Sequence, residues 1–429
     1  MEGFTKFIGW LDGIIWSNAL IALCLGAGLF FTIATRFHQV RLLKDMVKLM
    51  FQGKASSAGI SSFQALAIAL SGRIGVGNIA GVATAIFWGG PGAIFWMWVI
   101  AFLGAGSAFV ESTLSQIYKT KQDGQFRGGP AYYIEKGLKI KWFAVLFAIV
   151  TVFATGLFLP GVQANNIAAA MKEAFGIQTW VVGLVLVIIL GIIIIGGLKR
   201  IASAAQIIVP FMAVGYILVS LLIIALNINQ LPEVFMLIIK SAFGTDAAFG
   251  GILGAAIAWG VKRGIYSNEA GQGTAPHASA AAEVSHPAKQ GLVQSFSVYI
   301  DTLFVCSATA FMILITGMYN VMPAEQSAIV VNLPDVEKPG PVFTQQAIET
   351  TLPGFGAPFV AIALFFFAFT TLMAYYYMAE TNLAYITQKA RKVWLEYVLK
   401  FAILGVIFYG CINTADPVSY THLTLPTKA

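Results

Sequence analysis

Charged residues are scarce in this chain of 429 residues. Asp, Glu, Lys and Arg together make up 10% of it, whereas hydrophobic residues make up 58%. Soluble globular domains contain about 25% charged residues, and the mean hydropathy of this chain is +0.80. The composition therefore excludes a soluble protein and is typical of an integral membrane protein.

Cysteine and histidine are also few, and common catalytic motifs are missing. Cys24, Cys306 and Cys411 lie in apolar runs without a CxxC pair, and the four histidines lack the spacing of a metal site. We therefore expect small core cysteines, with no disulfide and no cofactor. The chain contains no GxxxxGK[ST], HExxH or GxSxG motif, which argues against a nucleotide-driven pump and a membrane-embedded enzyme.

What the chain does contain is long apolar runs. Ten of them are close to or above the ~20 residues that a helix needs to cross a bilayer, and we number these predicted spans 1 to 10 in chain order. They lie near residues 14–34, 62–88, 92–117, 142–165, 180–198, 201–226, 250–281, 291–318, 355–380 and 395–413. The sequence therefore predicts an all-α polytopic membrane protein.

Basic residues lie mainly on one side of these spans. The connections at 35–61, 118–141, 199–200, 282–290 and 381–394 carry seventeen Lys and Arg residues, whereas those on the opposite side carry four. Because basic loops remain in the cytoplasm, we expect the N-terminus to lie outside and span 2 to enter from the cytoplasm. The net charge of +7 is then mainly a topology signal, and no nucleic-acid partner is expected.

Span 2 contains the stretch SGRIGVGNIAGVATA, residues 71–85, which is unfavourable for a helix that faces lipid. Each glycine lowers helix propensity by ~1 kcal/mol, and an ionised Arg73 would cost at least ~2.5 kcal/mol at the bilayer centre. Backbone leaves the helix at this depth only where it lines a protein-walled cavity. We therefore predict an interrupted helix whose free backbone groups bind a polar ligand.

The same pattern occurs again 190 residues later, in span 7. Both copies read R-x4-N-x-A-G-x2-T-A, so that Arg73 and Asn78 are matched by Arg263 and Asn268. Two interrupted helices at corresponding places in two halves indicate a transporter site at a repeat interface. Packing of GxxxG glycines is the alternative explanation. It accounts for the glycines but not for the paired Arg and Asn.

Several charged residues lie within the spans. Buried charges at this depth generally pair, so we expect a charge network among spans 2, 7 and 8. Its predicted members are Arg73, Lys262, Arg263, Glu269 and Asp301. Glu111 lies near the cytoplasmic end of span 3, where we expect a solvated carboxylate instead.

Two further polar features leave alternatives open. Gln163 follows Pro160 and Gly161, a pair expected to open span 4, and it either binds a substrate or forms an interhelical hydrogen bond. Thr370 and Thr371 in span 9 either bond to the preceding helical turn or coordinate a hard cation.

Five motifs, taken in order, resemble the sodium:alanine symporter family of amino acid carrier proteins. They are SGRIGVGNIAGVATA, LPGVQANNIA, GVKRGIYSNEAGQGTAPHASAAA, GLVQSFSVYIDTLFVCSATA and FAFTTLMAYYY. The resemblance runs from about residue 10 to about residue 418. It implies a LeuT-like fold, in which one extra N-terminal helix precedes two inverted five-helix repeats. It also implies secondary active import of alanine or glycine with Na+, or with H+ in some relatives.

The resemblance also implies which residues form the site. The substrate-binding residues would be Gly75, Val76, Gly77, Asn78, Gln163, Tyr266, Ser267, Asn268 and Tyr375. Na+, the coupling ion, would lie between backbone carbonyls near Ser71 and Ile74 and the hydroxyls of Thr370 and Thr371. Relatives often place Gly-Trp where this chain has Ala374 and Tyr375, which leaves the size of the substrate open.

The same resemblance divides the chain into segments. Residues 1–61 would form the extra helix and an inner-surface segment, 62–226 the first repeat, and 227–414 the second repeat. The family has an eleventh helix, but the likeness ends at Val418. Residues 415–429 end in SYTHLTLPTKA, which resembles translated sequencing adapter. We therefore expect a second repeat that is truncated, with its C-terminal helix missing.

The expected setting is the cell (inner) membrane, with the lipid bilayer, a small amino acid and Na+ as partners. A channel is the alternative that shares a polar midplane, but it needs no asymmetric closing and usually has oligomeric symmetry. The sequence leaves the choice between Na+ and H+, and the oligomeric state, open.

Overall fold

A computed structural model describes residues 10, 13, 15–323, 327–388 and 392–413. All ten predicted spans are helical within this part of the chain. Their helices are Asn18–Ala34 in span 1, Ser62–Arg73 and Ala80–Gly89 in span 2, Gly92–Ile117 in span 3, Lys141–Phe153 and Leu159–Phe175 in span 4, Thr179–Ile195 in span 5, Gly197–Leu226 in span 6, Leu253–Asn268 and Ala275–Ala281 in span 7, Pro287–Tyr299 and Ser307–Thr316 in span 8, Gly356–Ile386 in span 9, and Val393–Ile412 in span 10. The expected tail at 415–429 lies outside the described residues.

Six of these helices are long and apolar enough to cross a bilayer. They are Gly92–Ile117, Lys141–Phe175, Gly197–Leu226, Pro287–Thr316, Gly356–Ile386 and Val393–Ile412. Spans 1 and 5 are shorter apolar helices, and spans 2 and 7 are each divided in two. The architecture is therefore that of an all-α polytopic membrane protein.

Short elements fill the connections between the spans. The helices are His38–Arg41, Leu43–Met50, Pro130–Tyr133, Leu231–Ala242 and Val342–Thr351, with 3-10 turns at Ile228–Gln230 and Gly250–Ile252 and a π-helical turn at Ile134–Leu138. Two antiparallel hairpins pair Thr120–Gln122 with Gln125–Arg127 and Asn320–Val321 with Val330–Val331. In the first hairpin, Thr120 lies opposite Arg127.

Span 2 is interrupted where its glycines predict. Ser61 and Gln64 form a capping box that starts the first half, and Ile74 ends it in an extended conformation. Gly75 is extended as well, and a 3-10 turn at Val76–Asn78 leads into the second half. A Cβ on Gly75 would lie 2.7 Å from Thr371 Oγ1. Only glycine therefore lets the break pack against span 9.

Span 7 is interrupted by a longer irregular segment. Glu269, Gly271 and Gly273 have φ values of 53°, 84° and 82°, in the left-handed region that favours glycine. A Cβ on Gly273 would lie 2.6 Å from Pro130 Cγ. Pro276 then stands in the first turn of the second half, where its missing N–H costs no helical hydrogen bond.

The glycine pairs of spans 2 and 7 differ in what surrounds them. A Cβ on Gly260 would lie 2.4 Å from Ala93 O, and one on Gly264 would lie 2.3 Å from Ile100 Cγ2. These two glycines thus form a packing face against span 3. A Cβ on Gly81 would meet no atom within 4 Å in the described structure, so close packing does not explain that glycine.

Span 4 corrects one sequence prediction. The helix does not open at Pro160 and Gly161, because a π-helical turn at Ala154–Phe158 precedes the proline and the helix continues to Phe175. A π turn changes which carbonyl each N–H reaches, and this accommodates a residue without an N–H. Span 8 contains a longer π-helical segment, Ile300–Cys306, which carries Asp301 into the site.

Candidate functional site

The breaks of spans 2 and 7 face each other inside the protein. A Cβ on Gly77 would lie 3.2 Å from Tyr266 Cδ1 and 3.6 Å from Ser267 Cα. Asn78 and Asn268, the matched asparagines of the two motifs, are both fully buried. The structure therefore brings the predicted residues of both motifs together.

The π-helical segment of span 8 connects the two breaks. Asn78 Nδ2 donates to Asp301 Oδ1 at 2.6 Å, and Ser267 Oγ donates to Asp301 Oδ2 at 2.9 Å. Asn268 Nδ2 donates to Thr302 Oγ1 at 3.3 Å, and Thr302 Oγ1 donates to Asp301 Oδ2 at 2.7 Å. Two consecutive residues of one helix thus hold both breaks.

Asn78 is engaged at both ends of its side chain. Its Oδ1 accepts a hydrogen bond from the Gly75 N–H at 2.8 Å, while its Nδ2 is bound to Asp301. Its backbone carbonyl accepts from Thr309 Oγ1 at 2.7 Å. A substrate carboxylate would therefore have to compete with Asp301 for this amide, whereas the resemblance implies an amide open to the substrate.

Gln163 is the polar group nearest to Gly75 that has an unused atom. Its Oε1 lies 3.7 Å from the Cβ position of Gly75. This oxygen is buried and has no hydrogen-bond partner among the described residues. Unsatisfied buried polar atoms are rare in proteins. The Gln163 side chain also forms a hydrogen bond with Tyr375 in span 9, so the structure is compatible with both roles left open by the sequence.

A cavity of about 720 Å³ adjoins the break of span 7. Tyr266, Asn268 and Tyr375 line it together with Glu111 and Glu269, and it extends along spans 1 and 3. Gly75–Asn78 and Gln163 are not among its described lining residues. Three of the nine predicted substrate residues therefore share this cavity, and the others lie around Gly75 and Asp301.

The four predicted Na+ residues are only partly brought together. Thr371 Oγ1 lies 3.5 Å from the Ile74 carbonyl, which ends the first half of span 2. Thr370 Oγ1 lies 3.6 Å from Met212 Sδ in span 6, and both hydroxyls also donate to Phe367 O at 2.9 Å. The predicted ligand near Ser71 is a backbone carbonyl, and the Ser71 hydroxyl donates to the Ala67 carbonyl. The Ile74 carbonyl and the Thr371 hydroxyl are thus the two candidate oxygen ligands that the structure places side by side.

The predicted buried charges interact without short ion pairs, since Arg73 is close enough to Glu269 and Asp301 for electrostatic attraction. Within the described residues, Arg73, Arg263, Glu269 and Asp301 form no ion pair closer than 4 Å. Arg73 donates instead to the Gln294 carbonyl at 3.1 Å and to the Ser297 hydroxyl. Neutral donors surround Asp301, so the carboxylate is satisfied without a cation. The polar contacts within the core are therefore hydrogen bonds rather than salt bridges.

Glu111 was expected to be solvated, and this prediction is wrong. Its side chain is buried, and its two oxygens accept from the Gly271 N–H at 3.2 Å and the Gly273 N–H at 3.1 Å. The carboxylate thus holds the irregular segment of span 7 from span 3. A lone carboxylate in an apolar span was the available sequence signal. Its position near the end of span 3 favoured the wrong interpretation.

The second half of span 7 is also attached to span 9. His277 Nδ1 lies 2.9 Å from the Thr274 carbonyl, and His277 Nε2 lies 2.7 Å from Asn382 Nδ2. One neutral tautomer satisfies both contacts, with Nδ1 as donor and Nε2 as acceptor. Nearby, Arg127 in the first hairpin pairs with Glu380 in span 9 at 3.0 Å. Spans 7 and 9 and the hairpin are therefore held together at this end.

Comparison with known proteins points to one family. The "Sodium:alanine symporter family" matches residues 1–422. The carrier protein YrbD of Bacillus subtilis (strain 168) is 67% identical over 412 residues, which cover 96% of this chain and 85% of YrbD. The sodium/proton-dependent alanine carrier protein of Bacillus sp. (strain PS3) is 53% identical over 371 residues, with coverages of 86% and 83%. The sodium/alanine symporter AgcS of Methanococcus maripaludis is 40% identical over 417 residues, with coverages of 95% and 88%.

A solved structure agrees with this fold. MhsT in complex with L-phenylalanine aligns with a TM-score of 0.57 and 16% sequence identity, covering 86% of this chain and 82% of MhsT. At this identity the likeness concerns the fold alone, and it supports a LeuT-like arrangement. Together, the sequence matches and the two interrupted spans establish that the chain belongs to the sodium:alanine symporter family.

Proposed function

We propose that this protein imports small neutral amino acids, alanine or glycine, by symport with Na+ through alternating access. H+ is the alternative coupling ion, since the relative from Bacillus sp. is named for both sodium and protons. The observation that carries the proposal is the meeting of two broken helices at Asp301 and Thr302. Broken helices at a repeat interface are the usual site of substrate and ion in secondary transporters.

The substrate is proposed to bind beside Gly75. Its carboxylate would face the Gly75–Asn78 backbone, where the start of the second half of span 2 favours negative charge. Gln163 supports binding beside Gly75, because its buried Oε1 has no partner among the described residues and would accept a hydrogen bond from the ammonium group of the substrate. The Tyr266–Asn268 stretch and Tyr375 would enclose the opposite side of the substrate.

The coupling Na+ is proposed to bind where spans 2 and 9 meet. Hard cations prefer several oxygen ligands, and the Ile74 carbonyl and Thr371 hydroxyl are already 3.5 Å apart. The hydroxyl of Thr370, after rotation of its side chain, and the backbone carbonyl near Ser71 would complete the set. A cation at this junction would connect span 2 to span 9 only while it is bound, which links ion binding to the movement of the two repeats.

Alternating access requires contacts at each end of the route to break in turn. We assign residues 62–226 and 227–414 to the two inverted repeats, and we place the N-terminus outside the cell membrane because the basic connections then lie inside. The Arg127–Glu380 pair would then close the inner end. Trp88 and Trp259, which stack at 5.8 Å, would close the outer end.

Counterflow of labelled alanine into proteoliposomes tests the function. Vesicles loaded with unlabelled alanine should accumulate the label transiently, and the rate should saturate with alanine. Na+ and pH are varied separately, so that stimulation by Na+ at constant pH identifies the coupling ion. Flux that neither saturates nor responds to unlabelled alanine on the far side would indicate a channel and contradict the proposal.

A further inference from the structure

Arg263 is a buried cation without a counter-ion. Its side chain is 2% exposed, and Nε and Nη2 have no hydrogen-bond partner among the described residues. No carboxylate of the described chain lies within 4 Å of it. Arg73, its counterpart in span 2, likewise has an Nε and an Nη2 without a partner among the described residues, but its Nη1 donates two hydrogen bonds to span 8. An uncompensated buried charge is strongly unfavourable, so a ligand that neutralises it would bind well.

Arg263 lies in the first half of span 7, between two aromatic side chains. Its guanidinium lies 5.4 Å from the Trp259 ring and 5.8 Å from the Tyr266 ring. Trp259 stacks against Trp88 near the end of span 2, whereas Tyr266 contacts the Cβ position of Gly77 at 3.2 Å. Arg263 is thus between the aromatic pair at one end and the predicted substrate site at the other.

The geometry points to Arg263 as a docking site for the carboxylate of the substrate, occupied before the substrate reaches Gly75. This inference rests on the proposed function. A guanidinium presents paired N–H donors that match a carboxylate, and the two ring faces offset only part of the cost of burying the charge. Because the Asn78 amide is occupied by Asp301 and Gly75, a first contact elsewhere gives the incoming carboxylate a partner.

Alanine counterflow in proteoliposomes containing Arg263→Gln, Arg263→Lys or wild-type protein tests this site. Propionate, a carboxylate without an ammonium group, serves as the probe and should inhibit the wild type competitively. We expect Arg263→Gln to raise the KM for alanine and the inhibition constant of propionate at least tenfold, while the maximal rate stays within about twofold. Arg263→Lys keeps the charge but loses the paired N–H donors of the guanidinium, and it should raise both constants about threefold. Lys240→Gln, which removes an exposed charge, is the control and should change neither constant.

A purely structural role predicts a different result. It would lower the maximal rate or the yield and leave the inhibition constant of propionate unchanged, and this outcome would overturn the inference. So would a wild type that propionate does not inhibit. If neither Arg263 variant transports, propionate should raise the melting temperature of purified wild type but not that of Arg263→Gln, and equal shifts would overturn the inference. Absence of alanine counterflow in the wild type would instead contradict the proposed function.

Discussion

The two broken spans share a sequence motif but stabilise their breaks in different ways. In span 2 the Asn78 oxygen accepts from Gly75, three residues earlier, so the break is capped within its own segment. In span 7 the Asn268 oxygen also accepts locally, from Ala270, but the irregular segment is held in addition by Glu111, which reaches across from span 3 to bind Gly271 and Gly273. The same motif therefore does not imply the same mechanics.

The difference indicates which parts of the protein can move separately. The break of span 2 contributes its own cap. Besides packing contacts at Gly72 and Gly75, its polar contact with span 9 in the described structure is the 3.5 Å approach of Thr371 to Ile74. The break of span 7 is tied to span 3 by Glu111 and, through His277, to span 9 by Asn382. We infer that span 2 changes its relation to span 9 more readily than span 7 changes its relation to span 3.

Among the tests of this comparison, removal of the Glu111 carboxylate should have the largest effect on stability and transport. Glu111→Ala leaves two backbone N–H groups without an acceptor, at about 1–3 kcal/mol for each buried donor. We expect a lower melting temperature and loss of alanine counterflow. Glu111→Gln retains one oxygen acceptor and should be intermediate, whereas the exposed Glu173→Ala should behave as wild type. A Glu111→Ala protein as stable and active as wild type would show that span 7 does not depend on span 3.

The matched asparagines come next. Asn78→Ala removes the internal cap of span 2 and a ligand of Asp301, and it should weaken alanine binding roughly tenfold or more, since an unpaired buried polar group costs ~1–3 kcal/mol. Asn268→Ala should have a smaller effect, because its bonds to Thr302 and Ala270 are 3.3 Å and 3.0 Å long. Alanine affinity in folded protein is measured for both. An unchanged affinity in Asn78→Ala would contradict the site assignment.

The contact between spans 2 and 9 is tested by Thr371→Val, which keeps the shape and removes one oxygen. The Na+ concentration for half-maximal counterflow should rise, with little change in the maximal rate at saturating Na+, because cation affinity depends on the number of oxygen ligands. Thr370→Val should give a smaller rise, since Thr370 faces Met212. If Thr371→Val leaves half-saturation by Na+ unchanged, the cation site lies elsewhere.

The smallest effects are expected at the matched glycines Gly81 and Gly271. Gly81 is helical and has no atom within 4 Å of its Cβ position in the described structure, so Gly81→Ala should stabilise the protein by up to ~1 kcal/mol. Gly271 has a φ of 84°, and Gly271→Ala should destabilise it by ~1–2 kcal/mol. Thermal denaturation measures both changes. Shifts of the same sign would mean that the two positions are equivalent after all.

Much of the architecture could be predicted from sequence because hydropathy and glycine content act locally. The ten spans and the two interruptions follow from runs of apolar residues and from R-x4-N-x-A-G-x2-T-A. The partner of Glu111 could not be predicted this way, because Gly271 and Gly273 are 160 residues or more distant along the chain. The lack of ion pairs around Asp301 was missed for the same reason, since its donors come from spans 2 and 7.

The π-helical turns were missed for another reason. Hydrophobic periodicity does not distinguish a helix that gains one residue in a turn from a regular one, so Pro160 was expected to open span 4. The structure instead absorbs the proline with the turn at Ala154–Phe158. The choice between these outcomes depends on the hydrogen bonds of the surrounding backbone rather than on the Pro-Gly pair itself.

The π-helical segment Ile300–Cys306 also sets the angular phase of span 8. Asp301, within the segment, and Thr309, beyond it, both bind Asn78, at 2.6 Å and 2.7 Å. In a regular α-helix the eight residues from Asp301 to Thr309, at about 100° each, would turn Thr309 about 80° away from the direction of Asp301. Either Asp301 or Thr309 would then face away from Asn78. The wider π turns thus aim two distant turns of one helix at the same residue, Asp301 at its side-chain amide and Thr309 at its backbone carbonyl.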